Sequence, residues 1–125
     1  MIEHINPKTL HQSEFYDQAT IVRGPLLVIG GQNGVTADGD LLEDPAAQAE
    51  QAMRNVLAVL ADVGANQSHV ARLGIQIVAG SPLAELSQAA LRVWGRQRTA
   101  VVVSVVAGLA RPGAVVEIDA LAGLD

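Results

Sequence analysis

The chain has 125 residues, of which 50% are hydrophobic, 17% are charged and only 2% are aromatic. This length suits one domain with a single aliphatic core, which we expect to span residues 1–125. The charged fraction is low for a water-facing surface, so part of the apolar surface is expected to lie against other subunits. The sequence contains no cysteine, which excludes disulfides, thiol nucleophiles and zinc–thiolate sites.

The net charge is −5, with eight basic residues and thirteen acidic ones. Nucleic-acid-binding proteins cluster Lys and Arg, whereas here only residues 92–98 concentrate them, so no nucleic-acid partner is expected. No apolar segment reaches the roughly 18–20 residues of a membrane span, and the first residues lack the order of a secretion signal. We therefore expect no membrane partner, and a cytoplasmic location is the simplest interpretation.

The first 40 residues predict strands and turns. Residues 15–22 have the composition of a first strand, and residues 26–30 that of a second. The Gly-Pro turn between them favours a hairpin of these two strands. Further turn-forming residues follow at positions 32–40, with room for one short strand.

A helix is predicted after these strands. Asp44 and Pro45 are typical of the N-cap and the first helical position. Apolar residues then recur at three- and four-residue steps as far as Val63, and Gly64 is expected to end the helix.

The second half predicts one strand, a shorter helix and two final strands. The strand spans residues 73–78, and Ser81-Pro82 predicts the start of a helix that Gly95 ends. Residues 100–107 and 114–121 are the last two strands. The order β-β-(β)-α-β-α-β-β predicts an α+β fold in which two helices cover one face of a mixed sheet. Half of the valine-rich run would then face away from the helices, and self-association would bury it.

Four segments occur in an order and at a spacing that together resemble one known family. They are Tyr16-Asp17-Gln18-Ala19, Gly30-Gly31-Gln32, residues 46–56 and residues 116–122. Nearly the whole chain, from Tyr16 to Ala122, resembles the RidA family (YjgF/YER057c/UK114, in older usage endoribonuclease L-PSP). The resemblance implies a chorismate-mutase-like fold and a homotrimer with ligand clefts between subunits. That assembly agrees with the unshielded sheet face.

The resemblance also implies a small-molecule ligand and a reaction. The founding activity of the family is hydrolysis of reactive imines and enamines to 2-keto acids and ammonia. An arginine binds the substrate carboxylate, a glutamate in the last strand positions or activates water, and a tyrosine lines the cleft. Tyr16 matches the tyrosine and Glu117 the glutamate. From the residues alone, Tyr16 could equally be a hairpin-edge aromatic, and Glu117 could pair with an arginine across a subunit contact.

Other positions of the family pattern are altered here. Gly30 stands where active deaminases have a hydroxyl residue, whereas Gly31 and Gln32 match the pattern. Asn33 could present its amide to the cleft. A turn explains these residues equally well without a ligand.

The arginine position falls at Val101, and valine cannot bind a carboxylate. Arg98 lies three residues earlier, roughly 10 Å away along an extended strand, and is expected on the opposite sheet face. Only a bulge or register shift between Thr99 and Val106 would then bring Arg98 into the cleft. Otherwise Arg98, with Arg96, would cap the second helix or form a surface pair.

Two hypotheses follow, and neither includes a cofactor. The first is a trimeric imine/enamine deaminase in which Glu117, Tyr16 and Arg98 are catalytic, with residues 30–33 and Val101 binding the substrate. The second is a trimer of the same fold that binds a small molecule without turnover. The histidines, at positions 4, 11 and 69, show no metal-ligand spacing, so no metal is expected.

Overall fold

The fold comprises a four-stranded mixed sheet, a two-stranded sheet and two helices. The computed structural model describes residues 2–125. Its elements are β1 (Ile2–Ile5), β2 (Ala19–Val22), β3 (Leu26–Gln32), α1 (Pro45–Asp62), β4 (Val70–Val78), α2 (Leu83–Trp94), β5 (Ala100–Val106) and β6 (Val116–Gly123), with a 3₁₀ turn at Gln67–His69. The larger sheet has the order β3-β6-β4-β5, in which only the β4–β5 pair is parallel. The predicted α+β class is confirmed.

The two faces of this sheet differ in burial. Alternate side chains of β4 and β6 are buried with the inward residues of α1 and α2, among them Leu73, Ile75, Val116 and Ile118. Because neighbouring residues of a strand point to opposite faces, the residues between them lie on the other side. We call that side, which includes Arg72, Gln76, Glu117 and Asp119, the open face; both helices lie on the opposite side.

The N-terminal hairpin prediction is wrong. Only residues 19–22 of the predicted first strand form a strand, and they pair with β1 rather than with β3; Asp17 makes one isolated bridge to Ala100. β1 was missed because four residues, Ile2–Ile5, offer too short a pattern. β3 instead pairs with β6, which is an antiparallel partner of eight residues. β6 is far from β3 in the sequence, so the local turn signal did not predict this pairing.

The helix predictions hold, with one difference at the start of α2. Asp44 Oδ2 accepts a hydrogen bond from the Ala47 amide at 2.9 Å, and Pro45 is the first residue of α1. Gly64 has φ +73°, which is the left-handed conformation expected after a helix. α2 begins at Leu83 with Pro82 at the cap position, and no side chain caps it, so the predicted Ser81 cap is wrong.

β5 is an edge strand whose register is unbroken. Its pairing with β4 runs without a shift from Arg72–Ala100 to Val78–Val106. Val101 lies opposite Leu73 on the helix side and packs against the core. Val102 lies opposite Gly74 on the open face, where it is exposed, as predicted for half of the valine run.

None of the helices in residues 2–125 combines the length and the apolar character that crossing a bilayer requires. The cytoplasmic location stays a prediction.

Candidate functional site

Glu117 lies on the open face beside a bulge in β3. Between Ile29 and Gln32, β3 advances three residues while β6 advances two, from Ala120 to Ile118. This bulge turns Gly31 toward Glu117. A Cβ atom on Gly31 would lie 2.6 Å from the Glu117 Cδ atom, so only glycine leaves the carboxylate in its present position.

Asn33 is the hydrogen-bonding partner of this carboxylate. Its Nδ2 donates to the Val116 carbonyl at 3.1 Å and to Glu117 Oε1 at 3.4 Å. Within residues 2–125, Glu117 Oε2 has no hydrogen-bonding partner, so it is available to a water molecule or ligand. Gln32 folds back to donate to the Gly30 carbonyl at 3.2 Å, and Gly30 is exposed with open space around it. We call Glu117 with residues 30–33 the glutamate cluster.

Helix α1 fixes the position of Asn33. Asn55 Nδ2 donates to the Asn33 carbonyl at 3.2 Å and to the Val35 carbonyl at 3.0 Å. Gln51 holds Asn55 by donating to its Oδ1 at 2.8 Å. These amides were not identified from the sequence, although they lie in the helical segment that matched the family pattern.

Gln48 connects the two chain segments that flank the glutamate cluster. Its side chain is buried; Nε2 donates to the carbonyls of Leu42 at 2.8 Å and Gly113 at 3.1 Å. Its Oε1 accepts from the Val115 amide at 2.9 Å. One buried amide thus holds the loop that follows Asn33 and the residues that precede β6.

A second polar group lies next to Glu117 on the open face. Asp119 accepts from Arg72 Nη1 at 3.0 Å and from Gln76 Nε2 at 3.2 Å. Gly74 makes room for this pair, because a Cβ there would lie within 2.9 Å of both side chains. Sequence analysis missed these residues, although Asp119 lies two residues after Glu117 in β6 and strand alternation puts both on one face.

Val101 and Arg98 line the same cavity, which contradicts the expected placement of Arg98 on the opposite face. The cavity has a volume of about 850 Å³ and lies between the C-terminal half of α2 and the start of β5. The strand alternation does not extend to Arg98, because β5 begins only at Ala100. We call this cavity the arginine pocket, since Arg92, Arg96 and Arg98 all line it.

A buried carboxylate fixes Arg98 and the segment around Tyr16. Asp17 accepts from Asn6 Nδ2 at 2.9 Å, contacts His4 Nδ1 at 2.6 Å and lies 3.9 Å from Arg98 Nε. Its backbone amide donates to the Thr99 carbonyl at 2.9 Å. Arg98 is therefore paired with Asp17 and does not cap α2, while the preceding Tyr16 is exposed at the same end of the sheet.

Within one chain, the glutamate cluster and the arginine pocket do not meet. Glu117 in β6 pairs with Gln76 in β4, and Gln76 pairs in turn with Ser104 in β5. Ser104 therefore lies two strand spacings, or roughly 10 Å, from Glu117. Val101 is three residues before Ser104, a further 10 Å or so along the strand. Moreover, Val101 faces the helices whereas Glu117 is on the open face.

Acidic and histidine side chains are dispersed over the part of the chain that the structure describes. Among residues 2–125, no three His, Asp or Glu side chains lie close enough together to hold a metal ion. His69 instead accepts from the Asn66 amide at 3.1 Å in the turn before β4.

The chain is thus a small α+β protein in which two helices cover one face of a mixed sheet and the Glu117 carboxylate lies on the other face. The family model described as Endoribonuclease L-PSP matches residues 7–124. The chain therefore belongs to the RidA (YjgF/UK114, endoribonuclease L-PSP) family, as the four sequence motifs predicted.

Solved structures of this family resemble the chain over nearly its whole length. A Rid-family protein of unknown function, YyfB from Yersinia pestis, is 32% identical, covers 98% of each chain and has a TM-score of 0.85. A YjgF/YER057c/UK114 member from Mycobacterium tuberculosis is 29% identical over 99% of this chain and 100% of its own, with a TM-score of 0.63. RidA from an Antarctic Psychrobacter is 26% identical over 94% of this chain and 100% of its own, with a TM-score of 0.73. No curated protein matches the chain.

Proposed function

We propose that the protein hydrolyses reactive imines or enamines to 2-keto acids and ammonia in clefts between copies of the chain. Membership of the RidA family supports a small-metabolite role. The observation that supports hydrolysis is the Glu117 carboxylate on the open face, with one oxygen near Asn33 and the other without a partner in the described residues. An oriented carboxylate of this kind can take a proton from water.

The reaction needs one water molecule and no redox step. Glu117 accepts a proton as the water oxygen bonds to the imine carbon, and the C=N double bond becomes a single bond to an amine. Return of that proton to nitrogen gives a carbinolamine. Glu117 then carries the proton of the new hydroxyl to the amine, so the carbon–nitrogen bond breaks, ammonia leaves and a carbonyl remains; an enamine first tautomerises to the imine. Tyr16 lines the cleft, Arg98 binds the substrate carboxylate through its guanidinium, and residues 30–33 with Val101 complete the walls.

A cleft between copies explains how these residues can act together. Glu117 and Val101 of one chain lie on opposite faces of the sheet, so a ligand that touches both kinds of residue needs two chains. Exposed apolar side chains on the open face, including Leu26 and Val28, supply a surface for that contact. We propose that the assembly is a homotrimer, with three clefts.

Sedimentation tests the assembly. A trimer mass at micromolar concentration is expected for the native chain and a monomer for Val28→Lys, because a charge would be placed in the contact. Thr36→Lys, at a half-buried loop position, adds the same charge away from the sheet and is expected to leave the trimer intact. A well-folded native monomer would overturn the proposal.

The activity is tested with an amino-acid oxidase or dehydratase that generates imines in place. The native protein is expected to accelerate keto-acid and ammonia release, and Glu117→Gln to reduce that acceleration at least 100-fold, within the usual range for a general base. Glu43→Gln removes a charge from an exposed loop and is the matched control. Equal rates for Glu117→Gln and Glu43→Gln would contradict the proposed role of Glu117.

Binding without turnover is the second candidate. It is favoured by Val101, which stands where active deaminases have their arginine. If no imine is hydrolysed but a keto acid binds at the trimer clefts, this second function is the correct one. We propose no nucleic-acid partner in either case, because the net charge is −5.

A further inference from the structure

The arginine pocket combines positive charge with an apolar wall. Three arginines, Arg92, Arg96 and Arg98, line the cavity, and Glu14 is its one acidic lining residue among those described. This concentration contrasts with the net charge of −5 for the whole chain. The apolar part of the wall includes Phe15, whose side chain is 81% exposed, together with Leu91 and Val101.

The three arginines differ in how strongly they are already paired. Arg92 Nη2 lies 3.5 Å from Glu50 Oε1, and the Arg92 side chain is 62% exposed, so this ion pair contributes little and exchanges readily. Arg98 donates to the Ser13 carbonyl at 3.1 Å and has only a long contact to Asp17.

Arg96 makes no hydrogen bond or ion pair with any residue in the range 2–125. Arg96 is thus the guanidinium free to receive an anion, and Arg98 is held by its hydrogen bond to the Ser13 carbonyl.

We infer that the arginine pocket binds a carboxylate-bearing molecule with a large apolar body. The carboxylate lies at Arg96 and Arg98, where paired N–H donors match its geometry. The apolar body lies against Phe15, Leu91 and Val101. Valine at position 101 fits this arrangement, because it extends the apolar wall. The anion is then bound by Arg96 and Arg98, which precede β5.

The extent of the apolar wall indicates the class of ligand. The arginine pocket is a half-open groove of about 850 Å³, so a ligand need not fill it. A three- or four-carbon keto acid has too little apolar surface to cover Phe15, Leu91 and Val101. This inference rests on the proposed function, since it names the substrate class of the same cleft: acids with a bulky apolar side chain.

Trp94 provides a direct binding signal. It is the only tryptophan of the chain, it lines the pocket, and its Nε1 donates to the Gln97 carbonyl at 2.7 Å. Fluorescence excited at long wavelength and the single indole N–H signal in an NMR spectrum therefore both report on this cavity, without any need for turnover.

Three probes separate charge from apolar contact in titrations of the full-length protein. They are 4-phenylbutanoate, its neutral analogue 4-phenylbutanamide, and propanoate, which has the charge but a short apolar part. We expect 4-phenylbutanoate to bind at least 10-fold more tightly than either of the others. Equal binding of the acid and the amide would overturn the inference, and so would equal binding of propanoate and 4-phenylbutanoate.

Variants locate the anion site. Arg96→Gln is expected to weaken 4-phenylbutanoate binding about 10-fold without loss of stability, because Arg96 has no partner among the described residues to lose. Arg98→Gln is expected to do the same, with thermal melting to detect any disturbance of Asp17. Arg111→Gln is the control with the same change in net charge, since Arg111 donates to the Gly39 carbonyl outside the pocket. If Arg96→Gln and Arg98→Gln bind like Arg111→Gln, the inference is wrong.

The outcome is distinguishable from failure of the proposed function. Selective binding of 4-phenylbutanoate without any imine hydrolysis would support the ligand class and refute the deaminase. Imine hydrolysis by the native protein, with a KM that rises in Arg98→Gln but with no binding of 4-phenylbutanoate, would support the deaminase and refute this ligand class.

Discussion

Replacement of Gln48 by methionine should test how one buried amide maintains the site. Methionine has nearly the same length and flexibility, so the substitution leaves little cavity. It removes two hydrogen bonds donated by Nε2, to Leu42 and Gly113, and one accepted by Oε1 from Val115. The change therefore isolates hydrogen bonding from packing.

The expected loss of stability follows from these three bonds. Each contributes about 1 kcal/mol net, and a buried group left without a partner costs about 1–3 kcal/mol. Gly113 is exposed, so water can replace the bond to its carbonyl, whereas Leu42 and Val115 are half-buried. We expect the free energy of unfolding to fall by about 2–3 kcal/mol.

Urea unfolding at one fixed protein concentration measures this change, because self-association would make the midpoint depend on concentration. Gln51→Met is the control in the same helix, since Gln51 donates one bond, to Asn55, and should lose about 1 kcal/mol. The imine-hydrolysis rate of Gln48→Met should also fall, because the residues before β6 and the loop after Asn33 lose their common anchor. A Gln48→Met stability within about 0.5 kcal/mol of that of Gln51→Met would refute the reasoning.

Three further substitutions test other parts of the structure. In Gly34→Ala the new Cβ would lie 2.4 Å from a backbone atom of α1, so we expect the free energy of unfolding, measured by thermal melting, to fall by about 2–3 kcal/mol. Gly108→Ala is the control, because Gly108 has open space around it, and this variant should be as stable as the native protein. Asp17→Asn removes a buried charge that contacts three side chains, one of which, His4, belongs to β1. The backbone amides of β1 should therefore exchange hydrogen faster. Unchanged exchange would mean that β1 is held by other contacts. Gly30→Ser adds the hydroxyl of active deaminases at an open position, so stability should be unchanged and imine hydrolysis should rise; an unchanged rate would show that the hydroxyl does not contact the substrate.

The helices were predictable because their signals are local. Asp44, Pro45 and Gly64 lie at or within two residues of the ends of the helix they delimit, and the predicted boundaries of α1 match the structure. Strand pairing depends on residues far apart in the sequence, and no local pattern specifies it. The Gly-Pro turn at residues 24–25 is present, yet β2 and β3 on either side of it pair with β1 and β6.

The candidate site was predictable only where a residue matched the family pattern. Glu117 was singled out by that match, and the structure has it in β6 on the open face. Strand alternation misplaced Arg98, because this residue precedes β5 and its direction is set by contacts with Ser13 and Asp17. Those contacts join segments 81 or more residues apart, and no spacing in the sequence predicts them.

The proposed reaction depends on assembly, because the arginines and Glu117 lie on opposite faces of the sheet. The guanidinium groups lie on the helix side near the start of β5, whereas the carboxylate of Glu117 lies on the open face near the end of β4. In the proposed mechanism, a single chain can therefore supply the anion site or the carboxylate for one substrate molecule, but not both. A variant that stays monomeric should accordingly keep the Trp94 response to 4-phenylbutanoate and lose hydrolysis. If a folded monomer hydrolysed imines at the native rate, the two groups would have to act without a second chain, and the division of the cleft between copies would be wrong.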